Sequence, residues 1–402
     1  MPMLLAVLLL LGGLYYFTTP EEKARFVRRS RRGLQQFRDT SEYLQPERGP
    51  FGEALRARTP VAIVTPALVA LNVAIFFGML FGAGALSDPN TLLGWGGNFG
   101  PRTTNGEWWR LVAALFVHTG PLHLIANIVG LVQIGLITER LFGRVAFATA
   151  YLAAGVLSSL VSLALHSVSV SAGASASIFG VYGLFLPALI AGNVFRSTLT
   201  VPLLTAVKLV PAAAVFVLYS TMAGFDGAAE IAGLAAGLVY GLVLAQEVGA
   251  RTPSPLRVGC TTGAVLLVAI AVAVPLRGLT DVRPEIERVA AVEHQTVSLY
   301  DNAVRRFTKG EISIIALSEV IDQSILPELR AARARFKKLE RVPREQEPLV
   351  LAANEYFRLR EESWRVRADA LRKINMATMQ QAEDKERVSL LALDRIIPAE
   401  QQ

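Results

Sequence analysis

The chain has 402 residues, 52% of them hydrophobic and 18% charged, with a mean hydropathy of +0.42 and a formal net charge of +7. Soluble domains carry about 45–50% apolar residues and lack repeated uncharged runs of about 20 residues, so this composition excludes a purely soluble protein and indicates a polytopic membrane protein. The surplus of Lys and Arg then reads as topology signal and headgroup contact rather than nucleic-acid binding; the one cysteine, Cys260, excludes an intrachain disulfide and is expected as a small packing residue.

In chain order, residues 1–17 are expected to form an N-terminal membrane helix over the apolar run 3–17. No Lys or Arg precedes that run, which argues against a secretory signal peptide. "EEKARFVRRSRR" follows, and residues 18–59 hold ten Lys/Arg against six Asp/Glu. They read as a basic, amphipathic cytoplasmic segment near anionic headgroups. Six spans follow, at about 60–83, 112–136, 145–166, 174–194, 200–222 and 228–246. "TERLFGR", Arg196 with Lys208, and "EVGARTPSPLR" fall between them on the side of the basic N-terminal segment. The opposite loops, 84–111, 167–173 and 223–227, are poor in Lys and Arg. An additional membrane helix at about 258–276 returns the chain to the outside.

Residues 280–402 are different material. They carry 21 basic and 21 acidic residues, and apolar positions recur at three- and four-residue spacing, as in "IERVAAVEHQTVSLYDNAVRRF". "KGEIS" (309–313) and "RVPREQEP" (341–348) read as breaks. The expectation is a soluble, extracytoplasmic bundle of about three long helices, with its charge runs on solvated faces and His294 at the surface. No catalytic or metal-ligand spacing occurs in it, and no cofactor is expected.

Four stretches of the six-span region stand out. "GWGGNFGPRTTNGEWWRL" (94–111) is a glycine-rich loop ending in aromatics and Arg110. In "HTGPLHLIANIVGL" (118–131), His123 and Asn127 stand at i and i+4 on one helix face. "SVSAGASASIFGVYG" (169–183) sets Ser175 among small residues before an apolar run. "DGAAEIAGLAAGLVYG" (226–241) contains Gly233 and Gly237, a GxxxG pair that permits close helix approach. Each alone reads as packing: an interfacial belt with a snorkelling arginine, an interhelical hydrogen bond, small-residue contacts. Their joint occurrence in this order is far harder to obtain by packing alone.

Over about residues 60–247 the sequence resembles the rhomboid family of intramembrane serine proteases. "WWR" matches the family's first loop, "HTGPLHLIAN" its HxxxxHxxxN, "GASASIFG" its GxSG turn and "AEIAGLAAG" its AHxxGxxxG. The resemblance implies an all-α fold: a six-helix membrane domain at 60–247, one extra helix at each end, and the helical bundle at 280–402 outside the family region. It also implies that Ser175 is the nucleophile, with His123, Asn127 and the Ser175 backbone N–H as the oxyanion hole. Such donors stabilise the charge that develops on an attacked peptide carbonyl by several kcal/mol. Arg110 and its loop would support the outer rim, Gly173 the serine turn, and Gly233 and Gly237 the helix contact. His166 matches no family site residue and reads as a loop residue. The implied partners are the lipid bilayer and transmembrane-helix substrates or clients, with no nucleic acid; the implied location is a bacterial-type plasma membrane.

The match departs from the family twice. Ala176 follows the serine where the family has glycine, and Glu230 stands where the family has its base histidine. Glutamate has the reach but not the charge logic. A charged carboxylate in a membrane helix costs roughly 2.5–3.5 kcal/mol on insertion scales, and a neutral carboxylic acid cannot accept the serine proton. An ionised Glu230 starts as an anion beside the developing oxyanion, whereas an imidazole becomes a cation beside it. Three readings stand at this point: a pseudoprotease that binds membrane helices without cutting them, a protease working with a Ser175–Glu230 pair, and a scaffold acting through the bundle at 280–402.

The Lys/Arg asymmetry gives a direct test. Compartment reporters fused at residues 50 and 300 are expected to report cytoplasm and exterior, respectively. Identical reports from both would remove either the first or the last expected span.

Overall fold

The computed structural model describes residues 50–82, 84–194, 226–245 and 252–396, with isolated positions between 201 and 218. The span expected at 3–17, residues 18–49, and most of the span expected at 200–222 lie outside the described residues. Among the described residues the regular structure is helical, apart from one antiparallel bridge between Asn98 and Ser171.

The membrane region begins with α1 (Val64–Phe81), α2 (Pro121–Phe142), α3 (Arg144–Leu165) and α4 (Ser175–Val194), and continues with α5 (Gly227–Leu244) and α6 (Pro255–Leu276). All of these except α4 are long and apolar enough to cross a membrane, and α4 is apolar over 175–190. The chain is an integral, multi-pass membrane protein.

One boundary differs from expectation by most of a loop. The span expected at 112–136 is α2, and it starts at Pro121. Before it, Arg110–Ala113 forms a short helix and Ala114–Phe116 a 3-10 turn. Proline at a first helical position gives up no hydrogen bond, whereas inside a helix it would break the ladder. The helix then runs on to Phe142, so Glu139 and Arg140, expected in a loop, are helical. Glu139 is fully buried. Its Oε1 accepts from the backbone N–H groups of Ile63 (2.7 Å) and Val64 (2.9 Å), and its Oε2 from that of Thr65 (2.8 Å). A carboxylate thus satisfies the orphan donors that open α1, at the end of the helix dipole that favours negative charge.

The central contact is between α4 and α5, and it is made by backbone. A methyl group on Gly237 would collide with the carbonyl oxygen of Gly180, and one on Gly233 with that of Ala176. From the other side, a methyl group on Gly183 would collide with the carbonyl oxygen of Leu234. Both helices pack in turn on α3, where Ala150, Tyr151 and Ala154 are fully buried. α6 lies against α3 through Leu160, Leu163 and Ala269, and Tyr240 Oη donates to Thr262 Oγ1 at 2.7 Å to tie α5 to it. Cys260, expected as a packing residue, is exposed on α6.

The C-terminal region folds as α7 (Arg283–Thr308), α8 (Ile314–Val320) running through a π-helical turn (Ile321–Ile325) into α9 (Leu326–Lys337), α10 (Glu347–Lys373) and α11 (Met376–Leu393). These make four rods rather than the expected three. The extra break is at Ile374, whose φ is 49°, followed by Asn375, whose side chain accepts from Thr378 N–H at 3.1 Å. A β-branched residue in the left-handed region is rare, so no turn signal marks the place except the Asn. Nor are all the charges solvated. Arg360 is 1% exposed, with Nη2 on Glu293 at 2.5 Å, Nη1 on Glu386 at 2.7 Å and its guanidinium 4.9 Å from the Trp364 ring. Tyr356 Oη also donates to Glu293, at 2.5 Å; burial first and then the charge of Glu293 raise its pKa above the usual phenol range. His294 is at the surface.

Two stability measurements test this packing. Gly237→Ala is expected to force α4 and α5 apart and cost at least about 1–3 kcal/mol, the range of core overpacking, whereas Gly263→Ala on α6, where a methyl meets open space, should leave unfolding in detergent unchanged. Glu139→Ala should cost about 1–3 kcal/mol for stranding the buried Thr65 N–H, and less for its half-buried neighbours; Glu139→Gln, which keeps an acceptor oxygen, should cost less than Glu139→Ala.

Candidate active site

Ser175 is the first residue of α4 and is half-buried. What holds it there is the preceding glycine. Gly173 has φ +128°, a region that side chains avoid, and its N–H donates to Ala114 O at 2.8 Å. A methyl group on Gly173 would lie 2.7 Å from both Cε1 and Nε2 of His123. The Cε1–Nε2 edge of the imidazole therefore lies against the turn that delivers the serine.

His123 and Asn127 share the buried face of α2, at 2% and 3% exposure. His123 Nδ1 meets Thr119 Oγ1 at 3.1 Å, and Asn127 Nδ2 donates to the carbonyl of His123 at 2.8 Å. His118 is not on the helix. It lies in the segment before Pro121, fully buried, with its ring 5.0 Å from that of His123 and Nδ1 at 3.2 Å from Phe116 O.

A cavity of about 460 Å³ opens beside Ser175. Glu230, 8% exposed in the first turn of α5, lines the same cavity. That turn is capped by Asp226, whose carboxylate accepts from Ala228 and Ala229 N–H, both at 3.1 Å. Ser158 and Ser162 of α3 form a polar wall. The structure therefore brings Ser175, Gly173 and Glu230 to one cavity, while His123 and Asn127 stand behind its wall. Two lining features escape the motif reading. Ser158 and Ser162 are one helical turn apart, a polar pair in an apolar span. His166, expected as an uninvolved loop residue, caps α3 and lines the cavity as well.

The glycine-rich loop supports this cavity from outside. Arg110, expected to snorkel at the rim, is instead 3% exposed. Its Nη1 donates to Leu93 O (2.6 Å) and Gly97 O (3.1 Å), and its Nε to Glu107 (2.6 Å). The guanidinium is thus the internal knot of the loop. Asp88 caps the short helix Pro89–Gly94, and the hydrogen bond from the Thr91 N–H holds its carboxyl below the usual range. Asn98 exchanges backbone hydrogen bonds with Ser171 at 2.8 and 2.9 Å and donates from Nδ2 to Ser159 O at 3.0 Å. The loop is thereby stitched to the 166–173 segment that walls the cavity.

Comparison with known proteins places these elements together. The family model of the rhomboid domain matches residues 105–247. "Rhomboid protease GluP" of Bacillus subtilis is 36% identical over 118 residues, which are 29% of this chain and 23% of that protein. "RHOMBOID-like protein 4" of Arabidopsis thaliana is 33% identical over 138 residues, 34% of each chain. "RHOMBOID-like protein 5" of the same plant is 33% identical over 145 residues, 35% of this chain and 45% of that one. The chain thus spans less than half the length of these relatives. The domain match takes in every helix that borders the serine cavity, and bacterial and plant relatives align with the same region: residues 105–247 are a rhomboid domain.

Proposed function

We propose that this protein is a rhomboid-type membrane protein that receives transmembrane helices at the Ser175 cavity and does not cleave them efficiently, a pseudoprotease by virtue of Glu230. The observation that carries the reading is that Glu230, which the sequence resemblance sets at the family's histidine position, lines the same cavity as Ser175. A serine hydroxyl needs a base to become a nucleophile. The usual neutral imidazole takes the proton and becomes a cation next to the oxyanion. A carboxylate in that place must begin as a buried anion, costly in a membrane helix, and after proton transfer it is neutral and offers the oxyanion no attraction.

The rest of the family constellation supports substrate-helix binding. Ser175 remains accessible on its glycine turn. Ala176 is the second departure, and it lies at the α4–α5 contact with its carbonyl against Gly233. In this reading His123 and Asn127 are the donors retained from the family, and Arg110 holds the outer loop. The extracytoplasmic side is that of loops 94–111 and 166–173, with the clients entering laterally from the bilayer.

The test restores the base. General-base assistance contributes typically about 10²–10⁴-fold. The protein in liposomes is expected to cut a model transmembrane substrate slowly or not at all, Glu230→His to cut it measurably, and Ser175→Ala to abolish cutting in either background. Should the unaltered protein cut as fast as Glu230→His and depend on Ser175, the carboxylate is a working base and the pseudoprotease reading fails.

A further inference from the structure

The C-terminal bundle does not hang free of the serine cavity; it is fastened to its wall. Glu345, in the turn between α9 and α10, reaches the end of α3. Its Oε1 lies 3.4 Å from His166 Nδ1, and its Oε2 accepts from the backbone N–H of Val168 at 3.3 Å. His166 lines the cavity, and so do Ser169 and Gly173 further along the same segment. The cavity wall and the bundle therefore share one carboxylate.

That carboxylate is held from behind. Thr280 donates through its N–H to Arg341 O (3.2 Å) and through Oγ1 to Glu340 O (2.7 Å), and Val282 N–H donates to Gln346 Oε1 (3.1 Å). The turn that carries Glu345 is thus bound to the residues that leave α6. Those residues grip the outer loop: Leu279 N–H donates to Thr104 Oγ1 (3.3 Å), Asn105 Nδ2 donates to Leu279 O (2.8 Å), and the Arg283 guanidinium sits 4.7 Å from the Phe99 ring. The bundle, the outer loop and the 166–173 segment form one clamp over the mouth of the cavity.

The strengths of its parts are unequal. The Leu279 junction is buried, with Leu279 in the apolar cluster of Leu111, Leu160 and Leu276. The Glu345 contact is open, with side-chain exposures of 52% at His166 and 34% at Glu345. Exposed polar contacts between side chains are weak and easily exchanged for water. The bundle is thus fixed at 278–283, and its contact with the 166–173 wall is the exposed one.

We propose that the C-terminal bundle is a gate on the serine cavity, with Glu345 as the catch that keeps the 166–173 wall closed and residues 278–283 as its fixed end. Release of Glu345 frees the wall and exposes Ser175 from the extramembrane side. This device concerns access, and it holds whether or not Ser175 cleaves anything.

The experiment reads access without catalysis. In the full chain carrying Cys260→Ser and Ser175→Cys, reconstituted in vesicles, a water-soluble maleimide added from the bundle side reports the exposure of position 175 by its rate of labelling. Glu345→Arg is expected to raise that rate several-fold, and Glu345→Gln, which keeps an acceptor for Val168 N–H, to raise it less. Amide hydrogen exchange across 166–173 should rise in the same order. His166→Ala opens the catch from the membrane side without altering the bundle, and should raise labelling even if Glu345→Arg proves too disruptive to fold. Faster exchange at 166–173 with unchanged labelling would mean that the wall does not gate Ser175, and unchanged exchange in both Glu345→Gln and His166→Ala would mean that Glu345 is no catch; either result overturns the proposal.

Discussion

The backbone contact between α4 and α5 is the constraint on which the rest of the molecule depends. Carbonyl oxygens of Ala176, Gly180 and Leu234 occupy the places where side chains of Gly233, Gly237 and Gly183 would otherwise stand. In a membrane, helices gain nothing from hiding apolar surface, because lipid tails are as apolar as leucine. Association rests instead on van der Waals packing and close backbone approach. Ser175 opens the first of these helices and Glu230 lies in the first turn of the second. The glycine seam therefore does more than hold a bundle together: it is what sets both residues on one cavity.

Polar groups do their structural work at helix ends. Glu139 caps α1, Asp226 caps α5, and Arg110 ties the carbonyls of the outer loop. In each case a charged or acceptor group meets several backbone partners that the helix or loop itself leaves unpaired. The C-terminal bundle uses the same device in its interior, where Arg360 is shared by Glu293 and Glu386. A buried ion pair of this kind adds little net stability compared with apolar residues, but removal of one partner leaves a charge stranded. Its value is to fix how α7, α10 and α11 face one another.

How much of this could be read in the sequence depends on the kind of signal. Hydropathy revealed α1, α3, α4, α5 and α6 within a few residues, because long uncharged runs have no other stable use. The start of α2 was missed since residues 112–120 are as apolar as a span; only Pro121 marked the break. Glu139 and Arg360 were read as surface charges because burial of a charge depends on partners that lie far along the chain, such as Thr65 and Glu293. The shared face of His123 and Asn127 and the close approach at Gly233 and Gly237 were legible because their spacing reflects helix periodicity, whereas Ser175 was singled out by the family resemblance. His166 was not, because its place beside the cavity is set by how α3 ends, and its partner Glu345 lies 179 positions later, a separation that no local pattern encodes.

The two halves of the molecule are thus joined by two kinds of contact. Apolar burial and multiple hydrogen bonds fix residues 276–283 to the outer loop, so the bundle cannot drift away. A single exposed carboxylate joins it to the segment that carries the serine turn. Rhomboid domains must reconcile a sealed bilayer with a site that water and a client helix can enter. In this chain the glycine seam sets backbone against backbone with no room for a side chain. The wall at 166–173 is irregular and polar; backbone bonds at Ser167, Ser171 and Gly173 hold it to the loop and to Ala114, and its contact with the bundle is the exposed one. The C-terminal bundle meets that wall through Glu345, so the proposed gate acts on the segment leading to Ser175 and leaves the glycine seam untouched.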